Sequence, residues 1–178
     1  MNFKPLSFRL IKHFHIDTKQ ELTEEDARKT PSHEIFDLFV DPIVDHIRPE
    51  ACEVLGFVPI DEPLLKHVFT GKRFRSIEFY GRKVLLPLPE VLLATKIKSA
   101  PQRDKEHKRI KDIADIYALS WYSEENIATM KAALTAILSP QETRTIIESF
   151  TREDLNAVSS ILGTETVQVQ RVLRELKS

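Results

Sequence analysis

Two groups of polar residues have types and surroundings that could support chemistry, and the first is a single aspartate. Asp37 interrupts the otherwise apolar run HEIFDLFV at residues 33–40. Burying a carboxylate in such a run costs several kcal/mol unless a cation or a metal ion compensates its charge. A place on the open face of a sheet would avoid that cost. Two interpretations stay open: a solvated strand residue, or a metal-binding carboxylate held rigidly by a strand.

The second group lies between residues 89 and 116. Lys96 follows apolar residues on a short predicted helix, where a lysine either extends harmlessly to solvent or reaches a phosphate group. On the next predicted helix, about 102–121, Asp112 and Asp115 share one face with Lys108 and Lys111. Such a face is usually solvated and ion-paired.

An apolar stripe occupies the opposite face of that helix. Its members follow the helical spacing: Ile110, Ile113, Ala114, Tyr117 and Trp121. Ile116 and Leu119 flank the polar face as well, which indicates burial on more than one side. Asp115 is therefore expected to be less exposed than on an ordinary surface helix.

Two stretches are locally basic although the net charge of the chain is −1. Residues 103–112 contain five bases and three acids. Residues 70–83 contain Glu78 as their single acid and the following bases: Lys72, Arg73, Arg75, Arg82 and Lys83. Such patches contact the phosphates of a nucleotide or of RNA, or they solvate a hairpin and protect its edge strand.

Composition bounds the class of protein. The chain has 178 residues, of which 42% are hydrophobic and 30% charged, the balance of a soluble globular protein with one main core. Its one cysteine, Cys52, excludes an internal disulfide, and no Cys/His spacing fits structural zinc. No apolar run has the length of a membrane span, so no membrane association and a cytoplasmic location are expected.

The first half of the chain is predicted to contain the strands. Residues 33–40 predict a buried strand, residues 51–60 a second extended segment, and residues 74–89 a hairpin that turns at Gly81. Residues 3–16 fit either a helix or a short strand, and residues 17–29 predict a solvated helix or loop.

The second half is predicted to be helical. A helix begins at Pro89, and Ser99 with Gln102 forms a candidate capping box for the helix that follows. Further helices are predicted at 124–138, 140–150, 152–162 with Thr151 as N-cap, and 165–177 with Thr164 as N-cap. This order predicts an α+β protein: a small mixed β-sheet in the first half packed by helices, with a C-terminal helical bundle.

In their order, these segments resemble the nucleotidyltransferase-fold superfamily. The likeness rests on EIFDLFV, the basic hairpin FRSIEFYGRKVLLPL, PEVLLATKIKSAPQR and KRIKDIADIYAL, and covers roughly residues 33–121. It is strongest towards the abortive-infection toxin type and related uncharacterised nucleotidyltransferases. The resemblance implies a nucleotidyltransferase-like α/β domain at residues 1–121, incomplete at its N-terminus, and a C-terminal helical region at 122–178.

The resemblance also implies roles for individual residues. Asp37 matches the strand-borne carboxylate that holds a catalytic metal, and Lys96 the motif lysine near the nucleotide phosphates. Asp112 or Asp115 matches a later acidic motif, and Arg103 joins them as a nucleotide-binding residue. Such enzymes transfer a nucleoside monophosphate from a nucleoside triphosphate to a hydroxyl acceptor, with Mg²⁺ holding the triphosphate.

The sequence departs from the family at its first motif, a Gly-Ser or Gly-Gly loop followed by an Asp-x-Asp strand. None of the four glycines, Gly56, Gly71, Gly81 and Gly163, precedes an acidic strand. The expectation is therefore a truncated or degenerate member with weak or no transfer activity by itself. An upstream protein that supplies the motif is one expected partner, and Mg²⁺ is expected only if the site is catalytically competent.

The alternative is a non-catalytic interaction or regulatory protein of toxin–antitoxin type. It would bind a protein or RNA partner through the basic hairpin at residues 70–83. A homodimer is compatible with an apolar C-terminal face that contains Val167, Val172, Leu173 and Leu176.

Overall fold

A computed structural model describes residues 4–6 and 8–177, with residues 4–6 described for their backbone alone. The chain divides into two compact units, Met1–Leu65 and Lys66–Ser178. This division differs from the boundary expected at 121/122, because the helices before residue 121 pack with those after it. The strands of the first unit and the helices of the second confirm the α+β class.

The first unit is organised around one central strand. β1 (Lys4–Leu6), β2 (Arg9–His15), β3 (Glu21–Leu22) and β4 (Ile35–Val40) form an antiparallel sheet in which β2 pairs with each of the other three. Within the segment 3–16, residues 4–6 and 9–15 are strands, Phe8 and Ile16 lie in turns, and residues 3 and 7 lie outside the described residues.

The prediction that residues 33–40 form a strand is confirmed, but the prediction that the strand is buried is wrong. In β4, Phe36 is 56% exposed, Phe39 44% and Val40 40%. The reason is that β4 pairs along one edge with β2, while the short helices α1 (Glu24–Lys29) and α2 (Pro49–Leu55) bury no residue against this sheet or elsewhere.

Residues 51–55 are helical, so the extended segment predicted at 51–60 is wrong for the first half of its length. Pro49 occupies the first turn of α2, and Gly56 ends the helix with a left-handed φ of 75°. Proline at the start and glycine at the end are a helix signature that outweighs the β-branched content of this segment. Only Ile60 and Asp61 are extended, as β6, which pairs in parallel with β5 (Ile43–Val44).

The predicted hairpin lies near the start of the second unit. After the short helix α3 (Lys66–Phe69), β7 (Phe74–Phe79) and β8 (Arg82–Pro87) pair antiparallel. Tyr80 and Gly81 form the two-residue turn with φ of 49° and 71°. Two positive φ angles match the right-handed twist of a hairpin, so Gly81 takes the predicted role.

Six helices follow: α4 (Pro89–Ser99), α5 (Glu106–Tyr122), α6 (Ile127–Thr135), α7 (Pro140–Glu148), α8 (Arg152–Leu162) and α9 (Thr166–Lys177). Thr151 caps α8 in a reciprocal capping box with Asp154, as the position of Thr151 predicted. The helix α9 begins at Thr166, two residues after Thr164, so the prediction that Thr164 is its N-cap is wrong.

The predicted capping box at Ser99 is wrong. Ser99 is the last residue of α4, its side chain makes no capping bond, and residues 100–102 form a 3-10 turn. α5 begins at Glu106. Lys105 is its N-cap residue, and the Lys105 side chain makes no capping hydrogen bond. The hydroxyl of Ser99 is instead engaged by a carboxylate of α5.

The core of the second unit lies between α4, α5 and the C-terminal helices. Its most deeply buried side chains include Leu93, Ile97, Ile113, Ile116, Met130, Val158 and Val169. Val172, Leu173 and Leu176 are at most 3% exposed, so they pack inside this unit and do not form the exposed face considered for a homodimer. Val167, at 71% exposed, is the member of that set that faces solvent.

Candidate functional site

A buried carboxylate joins α4 to α5. Asp112 is only 2% exposed. Lys96 Nζ donates to its Oδ1 at 2.8 Å, and Arg103 Nε donates to its Oδ2 at 2.6 Å. Ser99 Oγ donates to the same Oδ2 at 2.9 Å. Three donors and two positive charges thus compensate the cost of burying this carboxylate.

Lys96 also binds the second aspartate. Its Nζ lies 2.7 Å from Asp115 Oδ2, and the Asp115 side chain is 35% exposed. Lys96 therefore bridges a carboxylate inside the protein and one at the surface. We call Lys96, Ser99, Arg103, Asp112 and Asp115 the α4–α5 network.

The contacts of the network favour the charged forms of Asp112, Lys96 and Arg103. Burial disfavours the ionised form of Asp112, but hydrogen bonds from Arg103, Lys96 and Ser99 outweigh it and lower the pKa of this carboxyl. Burial likewise opposes the ammonium form of Lys96, and hydrogen bonds to Asp112 and Asp115 outweigh it and raise its pKa. The hydrogen bond to Asp112 raises the pKa of Arg103 against a smaller effect of burial.

A pocket of about 470 Å³ opens beside this network. Its lining residues are Arg75, Pro89, Leu92, Lys96, Asp115, Ala118, Leu119, Tyr122 and Ser123. Two walls of the pocket are helix faces, whose residues recur every three or four positions. Pro89, Leu92 and Lys96 form the wall on α4. Asp115, Ala118, Leu119 and Tyr122 form the wall on α5. The pocket has an apolar floor, charged groups at Lys96, Asp115 and Arg75, and a Tyr122 ring that is 72% exposed.

The structure brings together all four residues that were predicted to bind nucleotide. Lys96 and Asp115 line the pocket, whereas Asp112 and Arg103 lie behind Lys96 and hold it. A solvated face, the usual interpretation of such a helix, is wrong for Asp112. The flanking Ile116 is fully buried, which explains why this face is not a plain surface.

Asp37, the predicted metal-binding residue, belongs to the first unit. Its side chain is 42% exposed, and its Oδ1 lies 2.7 Å from His13 Nδ1 on the paired position of β2. The exposure corresponds to a strand residue on an open sheet face. A pocket of about 330 Å³ lies next to this pair, lined by His13, Glu24, Ala27, Arg28, Ser32, Ile35 and Asp37.

The surroundings of Asp37 do not fit the Mg²⁺ site that the resemblance implies. Within residues 8–177 and the described part of β1, no three His, Cys, Asp or Glu side chains are arranged to hold a metal ion. Mg²⁺ prefers several oxygen ligands, and Asp37 offers one carboxylate beside an imidazole. Its catalytic role stays a prediction, and no step of a reaction is derived through it.

The hairpin cations point mainly to solvent. Lys72, Arg75, Arg82 and Lys83 are exposed, while Arg73 is half-buried and lies 3.8 Å from Glu90. The turn adds an element that the charge count did not reveal: Phe79 is 59% exposed, and the ring of Tyr80 contacts it edge-on at 4.5 Å between centroids.

Sequence reasoning missed Ser99 and Tyr122 as site residues, and it assigned Arg75 to the basic hairpin without placing it at this pocket. Tyr122 follows Asp115 by seven positions, and Lys96 follows Pro89 by seven, so a helical-face projection would have placed each pair together. The contribution of Ser99 was hidden by its interpretation as a helix cap. Arg75 reaches the pocket from the hairpin, a contact between elements that no local pattern encodes.

Comparisons with protein-family models, curated proteins and solved structures returned no match to this chain. Across the described residues, no helix combines the length and the apolar character that a membrane crossing requires.

Proposed function

We propose that the Lys66–Ser178 unit binds a nucleoside triphosphate in the α4–α5 pocket. It would do so as a nucleotidyltransferase-like domain with weak or no nucleotidyl transfer by itself. The observation that carries this proposal is the lining of the pocket. It has an apolar floor, an aromatic ring at the rim, and the cations Arg75 and Lys96 at its charged end. Ligand sites typically combine such a floor with a few convergent polar groups.

The two ends of the pocket suit the two parts of a nucleotide. The floor made by Pro89, Leu92 and Leu119 offers apolar contact for a base, and Tyr122 offers a ring for stacking. Arg75 forms no ion pair with any described residue, so its charge is available to a phosphate. Lys96 contributes its remaining donor capacity while Asp112 and Asp115 hold it in place.

Asp115 shares the charged end with these cations and would repel a bare triphosphate. Proteins commonly bind Mg²⁺ through one or two carboxylates together with the substrate phosphates. Asp115 is the pocket carboxylate that suits a Mg²⁺ ion arriving with the triphosphate. Binding is therefore expected to be tighter for the Mg²⁺ complex of the nucleotide than for the free nucleotide.

The test uses variants that leave the buried network intact. Titration calorimetry with ATP and Mg²⁺ is expected to show binding by the full chain. Arg75→Gln and Tyr122→Ala should each weaken it about tenfold, the worth of one charged hydrogen bond or one stacked ring. Because both side chains are exposed, the melting temperature should stay nearly unchanged.

Lys98→Gln on α4 is the matched control, because it removes a lysine that does not line the pocket. It should bind nucleotide like the wild type. No binding at millimolar nucleotide, or equal affinity for wild type, Arg75→Gln and Tyr122→Ala, would refute the proposed site. Multiple-turnover labelling of RNA or protein from labelled ATP by the chain alone would contradict weak or absent transfer.

A non-catalytic interaction protein is the second candidate, and the exposed basic hairpin favours it. The two functions differ in one measurement. Nucleotide binding that depends on Arg75 and Tyr122 supports the first, whereas a partner bound at the hairpin without any nucleotide binding supports the second.

A further inference from the structure

The hairpin has two chemically different faces. In an antiparallel pair, residues opposite each other in the register project to the same side. The register places Arg75 with Leu86, Ile77 with Val84, and Phe79 with Arg82 on one face. It places Glu78 with Lys83 and Ser76 with Leu85 on the other.

The first of these faces carries no acid, and we call it the arginine face. Arg75 and Arg82 lie towards its two ends, about 13 Å apart along the hairpin at the usual strand rise. Between them lie apolar side chains, of which Val84 is 41% exposed. The one acid of the hairpin, Glu78, faces the other way, where Lys83 opposes it. The positive charge of the arginine face is therefore not neutralised from within the hairpin.

The tip adds exposed aromatic rings that folding does not explain. Tyr80 is 91% exposed and adopts a φ of 49°, a conformation that a non-glycine residue enters at a cost. Asparagine or glycine would suit this turn position better. Neither burial nor backbone preference accounts for a tyrosine here, whereas a ring presented beside Phe79 and Arg82 is suited to stacking against a flat partner.

We propose that the arginine face and its aromatic tip bind single-stranded RNA. Cations bind the phosphate backbone, and exposed rings stack on unpaired bases, which is the combination that single-strand recognition uses. Paired bases in an RNA duplex do not offer their faces to a side chain, and RNA is read chiefly at unpaired segments. An acidic protein partner would use the cations but would leave the two rings without a specific role. This inference goes beyond nucleotide binding and does not depend on it.

The test measures fluorescence polarisation of the full chain with a labelled uridine oligomer of roughly ten nucleotides. Tyr80→Asn should weaken binding roughly 5- to 100-fold, as expected for loss of one stacked base. Because asparagine tolerates the positive φ better than tyrosine, the melting temperature should stay equal or rise. Loss of affinity without loss of stability separates recognition from folding.

The charge is tested with Arg82→Gln and a matched control. Arg82→Gln should lower the affinity and reduce the slope of log K against log salt by about 0.7, the value for one phosphate contact on a single strand. Arg144→Gln removes another exposed arginine, from α7, and should leave the affinity and the salt slope unchanged. Neither Tyr80 nor Arg82 lines the nucleotide pocket, so a failure here leaves the nucleotide proposal standing.

Three results would overturn the inference. The first is wild-type affinity in Tyr80→Asn, and the second is equal affinity for the oligomer and for a duplex RNA of the same length. The third is tighter binding of a poly-glutamate peptide than of RNA, which would assign the surface to an acidic protein partner.

Discussion

Asp37 lies in an apolar run of the sequence and Asp112 at the end of a charged one, yet the fold buries Asp112 and leaves Asp37 exposed. Asp112 on α5 is 2% exposed and receives bonds from Lys96, Ser99 and Arg103. Asp37 on β4 is 42% exposed and contacts one histidine. An apolar neighbourhood in sequence therefore does not tell whether a carboxylate is buried. The compensating donors decide it, and for Asp112 they come from a segment that folds back onto it.

The two units differ in the same direction. In the first unit, the buried apolar residues among those described are Ile11, Pro59 and Leu64. In the second unit, α4 to α9 enclose a continuous apolar core. The two helices that carry the α4–α5 network, α4 and α5, both contribute to it. Removing charge from this network should therefore be costly, whereas the same change at Asp37 should cost little.

The largest effect is expected for Asp112→Asn. It leaves Lys96 and Arg103 facing a neutral amide, and since both cations are about one-third exposed they can partly turn to water. We expect the free energy of unfolding to fall by roughly 2–3 kcal/mol, below the cost of a fully buried broken pair. Trp121, the only tryptophan, reports unfolding of the second unit by fluorescence in urea. A change below about 0.5 kcal/mol would mean that the network does not hold the two helices.

The acid dependence of stability should follow from the lowered pKa of Asp112. A lowered folded-state pKa contributes stability that is fully present above the ordinary aspartate pKa of about 3.9 and is lost as the pH falls through the lowered value. The difference in unfolding free energy between the wild type and Asp112→Asn should therefore shrink as the pH falls below about 4. A difference that stays constant down to about pH 2 would contradict this assignment.

The alkaline side has the opposite sign. Because the pKa of Lys96 is raised, its contribution is fully present below the ordinary lysine pKa of about 10.4 and is lost as the pH rises through the raised value. The stability of the second unit should therefore be insensitive to Lys96 titration near neutral pH. Lys96→Met should abolish the loss of unfolding free energy at alkaline pH. The loss at acid pH, which comes from Asp112, should remain, because Arg103 still pairs with that carboxylate.

A smaller effect is expected for Ser99→Ala. This change removes one hydrogen bond to Asp112 and leaves both cations in place, so the unfolding free energy should fall by about 1 kcal/mol. Ser160→Ala on α8 is a control whose hydroxyl bonds only to the backbone carbonyl of its own helix. Equal effects of the two changes would mean that Ser99 contributes nothing particular to the network.

The smallest effect is expected for Asp37→Asn. Its contact with His13 Nδ1 is partly exposed to solvent, and even a charged pair in such a place contributes less than about 1 kcal/mol. The stability of the first unit, followed by hydrogen exchange of β2 and β4, should change by no more than that. A loss as large as that of Asp112→Asn would remove the contrast between the two aspartates.

Elements with complete local signals could be predicted from the sequence. The hairpin at Tyr80–Gly81, the helix beginning at Pro89 and the N-cap at Thr151 each follow from residues within a few positions of one another. The extended segment predicted at 51–60 was wrong over residues 51–55, because the apolar residues there were weighted above the proline and glycine at the ends of α2.

The site was predictable only in part. Lys96, Arg103, Asp112 and Asp115 were selected through a family resemblance, and the structure shows that they contact one another. Which of them lines the pocket depends on the packing of α4 against α5. The burial of Asp112 and the approach of Arg75 from the hairpin depend on tertiary contacts that no local pattern contains.

The most direct test of the nucleotide proposal is photolabelling with 8-azidoadenosine triphosphate and Mg²⁺, followed by peptide mass spectrometry. It compares the pocket beside Lys96 with the pocket beside His13 and Asp37 in one experiment. The account predicts label on residues 118–123 that excess ATP prevents and that Tyr122→Ala reduces. Label on residues 13–37 instead, or label that ATP does not compete away, would contradict it.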